Sequence, residues 1–163
     1  MKNPLEIYLN DHLAGSASGV LLVKRLEQTA TEASEKLFFI DLREQIVEDR
    51  EMLMLVIRKS GMKVSAFRNF CGLFCTWLAM WKMRISGMDV GELGRYEMIE
   101  LLTMGIHGKS LLWKTMGRVV EPYDQWCCYK KLETRAEEQY SSIEIYRVQQ
   151  GKLLFGDFAG EVG

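Results

Sequence analysis

Apolar residues recur at alternating spacings of three and four through every long segment of this chain. That period matches one face of an α-helix and excludes the strict alternation of a half-buried strand. The two prolines, Pro4 and Pro122, both fall near expected helix starts, so neither interrupts the pattern. Ten methionines among abundant Leu, Glu, Lys and Arg reinforce helix over sheet. The fold class expected is all-α, an up-and-down bundle of five helices.

Five segments carry the pattern. Asn3 before Pro4 is an N-cap signal, with proline at the first helical position. Leu5, Leu9, His12, Ser16, Gly19, Val23 and Leu26 then form one stripe, ending near Gln28. Thr29, Thr31 and Ser34 offer caps for a second helix. Its stripe is Phe38, Leu42, Gln45, Asp49, Met52 and Val56, and Gly61 stops it. A third segment, from Ser65, carries the strongest heptad stripe: Phe67, Phe70, Phe74, Trp77, Trp81 and Ile85. After a turn-rich stretch at 86–94 a fourth helix follows, with Tyr96, Ile99, Thr103, Ile106, Ser110, Trp113 and Val120 inward. The fifth is expected after Pro122, with Tyr129, Leu132, Ala136, Ile143 and Val148 inward. At 163 residues a single domain over residues 1–150 is expected, with 151–163 as a loosely held tail. No internal repeat or low-complexity segment appears.

Composition narrows function by exclusion. A formal net charge of −1 leaves no basic footprint for nucleic acid. The most apolar run, residues 70–81, is shorter than the roughly 20 residues a membrane span needs. No signal-peptide pattern opens the chain. Together with four cysteines read as reduced thiols, this makes the cytoplasm the expected compartment.

Residues 8–19, from Tyr8 through His12 to Gly19, place a histidine of the inward stripe beside a run of very small side chains. Small residues admit close approach of a second helix or of a ligand. Taken with Glu48-Asp49-Arg50 and the segment from Gly108-Lys109 to Trp113, this stretch resembles a family of small uncharacterised bacterial helical proteins. That resemblance covers the chain to about residue 148. It implies a ferritin-like helix layout and carries no assigned activity.

Ferritin-like metal sites use Glu-x-x-His pairs. Leu9 and Met104 stand three residues before His12 and His107, so no metal ligand set and no cofactor are expected. A hairpin near residue 31 brings His12 level with residues 48–50. Continued fold-back brings His107 and Glu137 or Glu138 to the same height. His12 and Asp49 share inward stripes, and a direct or water-bridged hydrogen bond between them is expected, read as a structural pair fixing helix register in preference to an acid/base or metal cluster.

Cys71 and Cys75 lie one turn apart among aromatics, and Cys127 and Cys128 are adjacent. All four read as inert thiols. Gly108-Lys109-Ser110 lacks the first glycine of a phosphate loop, and Gly15-Ser-Ala-Ser-Gly19 has alanine where a nucleophile elbow has serine. Trp77, Trp81 and Trp113 read as core anchors. No catalytic residue is expected.

The leading functional expectation is a non-catalytic protein acting through protein contacts, with a homodimer as one form. The competing expectation is a small-molecule or metal-binding bundle with a pocket near His12. Peripheral membrane binding through the third segment ranks last.

Overall fold

The computed structural model describes residues 3–64, 91–119 and 127–156, and they are helical with short connections. Among the described residues there are four helices: α1 (Pro4–Thr29), α2 (Ala33–Lys59), α3 (Glu92–Val119) and α4 (Tyr129–Phe155). Each is about 40 Å long at 1.5 Å per residue. The expected third helix, with Cys71, Cys75, Trp77 and Trp81, lies outside the described residues. No helix among those described is long and apolar enough to cross a membrane.

The ends follow local chemistry. Asn3 Oδ1 accepts from the Leu5 N–H at 3.0 Å, the expected N-cap. At the α1–α2 turn, however, neither Thr31 nor Ser34 caps. Glu32 is the N-cap residue without a side-chain bond, and Glu35 reaches back to accept from the Thr31 N–H. Gly61 ends α2 with φ +69°, and the Met62 N–H bonds the Ile57 carbonyl at 3.1 Å. This is the left-handed stop that glycine makes cheap. α4 starts at Tyr129, continues through Gly151 and ends at Phe155, beyond the boundary expected at residue 150.

The core is split in two. One cluster joins Leu9, Leu13, Leu53, Ile57, Leu112 and Trp113, with Tyr129 and Leu132. The other joins Leu22, Leu26, Phe39, Leu42, Ile99 and Ile106, with Ile143. α1 and α4 therefore run from the first cluster to the second, and α2 and α3 run the opposite way. α1/α2 and α3/α4 are antiparallel hairpins, α1 packs on α3 to join them, and α2 lies parallel to α3.

The inward face of α2 is Phe39, Leu42, Ile46, Asp49, Leu53 and Val56. Phe38 and Met52 are only half-buried, as is Gln45. The expected stripe had taken the edge of that face for its centre at three positions. The α3 stripe holds at Ile99, Thr103, Ile106, Ser110 and Trp113. In α4, Val148 is exposed whereas Ile143 is fully buried.

Candidate functional site

Both core clusters stop short of the middle of the bundle. α1 leaves the first cluster at Leu13 and enters the second near Leu22; α2 changes over between Ile46 and Leu53; α3 between Ile106 and Leu112; α4 between Ala136 and Ile143. All four gaps fall at one height. Polar side chains and a cavity fill this layer.

The polar half is built around Asp49, which is 3% exposed. Lys109 Nζ from α3 donates to its Oδ2 at 2.5 Å, Arg135 from α4 donates to its Oδ1, and Gln139 Nε2 adds a bond to Oδ2 at 3.2 Å. Gln139 also accepts from Lys109 and donates to Gln45 at 2.9 Å, while Arg135 reaches the exposed Glu48. Burial pulls the Lys109 amine below its usual value, and the Asp49 charge works against that shift. A carboxylate this buried persists because two cations and an amide saturate both its oxygens.

Of the expected direct or water-bridged His12–Asp49 contact, the direct hydrogen bond is not formed. Asp49 takes the longer-reaching Lys109 and Arg135, each able to satisfy charge as well as hydrogen bonding. His12 sits edge-on to the Tyr8 ring, with centroids 4.7 Å apart. Burial lowers its pKa from the ordinary histidine value, and the neighbouring Asp11 raises it by less.

The expected level alignment does hold. Arg50 of α2 donates to the Leu13 carbonyl and to Ser16 Oγ of α1, at 2.5 and 2.8 Å. The fold-back also brings α3 and α4 to this height, but it delivers Lys109 and Gln139. His107 is exposed against Tyr140, and Glu137 and Glu138 are exposed. No group of three or more His, Cys, Asp or Glu among the described residues is arranged to hold a metal.

The apolar half is a cavity of about 440 Å³ between α1, α2 and α3, lined by His12, Asp49, Arg50, Lys109 and Trp113 together with small residues. Its size falls in the range of small-molecule pockets. The small run on α1 supplies Gly15, Ser16, Ser18 and Gly19, and α3 supplies Gly105 and Gly108. Among the described residues, a Cβ built on Gly15, Gly105 or Gly108 meets nothing within 4 Å, and one on Gly19 meets only Ile46 at 4.0 Å. Among the described residues, then, nothing packs against Gly15, Gly105 or Gly108.

Trp113 lines the cavity with part of its ring and carries an orphan donor in its buried part. Trp113 is 1% exposed, and its Nε1–H has no acceptor among the described residues. Buried indole N–H groups ordinarily find a partner, and leaving one unmade costs about 1–3 kcal/mol. The indole is otherwise well placed as the core anchor expected, stacked on Tyr129 with centroids 6.1 Å apart.

A second polar cluster closes the α1–α2 hairpin end. Arg95 of α3 pairs with Glu35 of α2 and donates to the Thr29 carbonyl and hydroxyl of α1 at 3.1 and 2.9 Å. The Tyr146 hydroxyl of α4 donates to Glu35. Burial, with the Glu35 carboxylate, pushes the Tyr146 phenol up to about 12. Sequence reading missed this clamp, because none of its members stands in a motif.

No family model, curated protein or solved structure matches this chain. The described residues define an all-α helical bundle.

Proposed function

We propose that the protein is a binding bundle that holds a small, largely apolar molecule in the mid-height cavity beside His12. The observation that carries this reading is the cavity of about 440 Å³ at the height where both core clusters stop, bordered by glycines of α1 and α3 against which no described residue packs. Glycine inside a helix costs about 0.5–1 kcal/mol relative to alanine, and nothing among the described residues occupies the room left at Gly15, Gly105 and Gly108. A ligand with a largely apolar body fills that room.

Binding is favoured over catalysis by the state of the titratable groups. Asp49 has both oxygens committed to Lys109, Arg135 and Gln139. His12 makes an aromatic contact, with no carboxylate hydrogen-bonded to it to serve as an acid–base pair. The parallel arrangement of α2 and α3 is what a ferritin-like bundle with one long crossover displays, and it supports that layout without a ferritin ligand set.

The test is thermal unfolding with 1-octanol as the probe. The wild type is expected to gain stability with octanol concentration by mass action. Gly108→Leu, which fills the cavity, is expected to lose that gain while remaining folded. An equal response from both proteins removes the cavity from the account.

A second reading, association through protein contacts, draws support from exposed Leu21, Met104 and Leu111 on α1 and α3. Light scattering at micromolar concentration tests it, and a monomer counts against a homodimer.

A further inference from the structure

The cavity's charged wall says more about the occupant than its apolar one. Arg50 is half-buried and lines the cavity. Its Nη1 donates to the Leu13 carbonyl and to Ser16 Oγ, at 2.5 and 2.8 Å, and both acceptors are neutral. No carboxylate among the described residues pairs with it. The other cation of the wall, Lys109, is already committed to Asp49 and Gln139. Of the remaining titratable groups lining this space, Asp49 is shared by Lys109 and Arg135, Asp11 is exposed at the rim and hydrogen-bonds none of these cations, and His12 is held toward its neutral form.

A guanidinium presents five N–H donors in a planar fork that matches a carboxylate. Two of its bonds hold the α1 backbone and Ser16, and the rest have no partner among the described residues.

We infer that the ligand is a small carboxylate with an apolar body, its anionic head taken by Arg50 and its body lying against the glycines of α1 and α3. This rests on the reading of the cavity as a binding site and adds the chemical class of what binds. The apolar body draws on burial, and the head on a charge-assisted bond that an alcohol or an amine cannot reproduce.

Calorimetric titration of octanoate, 1-octanol and octylammonium at pH 7.5 tests it. Octanoate is expected to bind about tenfold more tightly than octanol, since bonds to charged groups are stronger than neutral ones. Octylammonium is expected to bind most weakly. Arg50→Gln is expected to keep octanol binding, which also reports its folding, and to lose the preference for octanoate. Arg50→Lys, which retains the charge, is expected to keep part of it. Octanol binding as tightly as octanoate overturns the carboxylate assignment alone, as does a preference that survives in Arg50→Gln. If none of the three probes binds, the cavity is not a binding site and both readings fall together. If Arg50→Gln does not fold, the wild-type ranking still decides the ligand class.

Discussion

Lys109 Nζ lies 2.5 Å from Asp49 Oδ2, and through this contact α3 is tied to α2 across the centre of the bundle. The pair sits at the height where both hydrophobic clusters give out, beside the cavity. At this level Asp49 receives Lys109 of α3 together with Arg135 and Gln139 of α4, so one carboxylate ties three helices at a single height.

The two members are not equivalent. Asp49→Leu strips three donors of their acceptor and leaves Lys109 buried without countercharge, a loss expected to cost about 3–5 kcal/mol. Lys109→Met leaves Asp49 with Arg135 and Gln139 and is expected to cost clearly less. The double variant is expected to recover stability relative to Asp49→Leu. Urea unfolding of the three proteins checks the order. A Lys109→Met loss as large as that of Asp49→Leu contradicts it.

His12 sets a pH dependence of known sign. Its folded pKa is lowered chiefly by burial, so below the ordinary value near 6.5 the unfolded chain takes up a proton that the folded chain resists. Stability is therefore expected to fall as pH drops from about 6.5 toward the folded pKa. His12→Gln is expected to fall less over that interval. Parallel urea titrations at pH 7 and pH 5.5 measure the difference, and identical slopes remove His12 as a contributor.

Tyr146 has the opposite behaviour at high pH. With its phenol pushed up to about 12, the hydroxyl still donates to Glu35 when unfolded tyrosines ionise near 10. Its contribution is present below pH 10 and is lost as pH rises from 10 toward 12. Absorbance titration at 295 nm is expected to show a late-ionising tyrosine that is missing in Tyr146→Phe. That variant is also expected to lose about 1 kcal/mol at neutral pH.

Gly15 and Gly108 report on the space between α1 and α3. Each lies inside a helix with no atom of the described residues within 4 Å of an added Cβ. Gly15→Ala and Gly108→Ala are each expected to stabilise the ligand-free protein by about 0.5–1 kcal/mol through helix propensity. A loss of stability in both means that the site is packed rather than open.

Much of the frame could be read from the residues. Asn3, the hairpin near residue 31 and the stop at Gly61 are local decisions made by a cap, a short turn and a left-handed glycine. The height match between His12 and Arg50 followed from equal helix lengths on either side of the hairpin. Asp49's actual partners did not follow, because periodicity assigns a face but cannot rank a distant lysine against a nearer histidine. Phe39, Ile46 and Leu53 were displaced by one residue in the expected stripe, since a wide apolar face admits two neighbouring lines. Glu35, Arg95 and Tyr146 meet across three helices, and only the tertiary fold brings them together. The glycines at 15, 105 and 108 were ambiguous for a plain reason. Small residues look the same in sequence whether they border a helix or a cavity.

The most direct measurement is a crystal structure determined under xenon pressure. A cavity open to a small apolar ligand is expected to show a xenon atom between Gly15 of α1 and Gly108 of α3, near Trp113. Absence of xenon there, with the space filled by side chains of residues 65–90, contradicts the account at its centre.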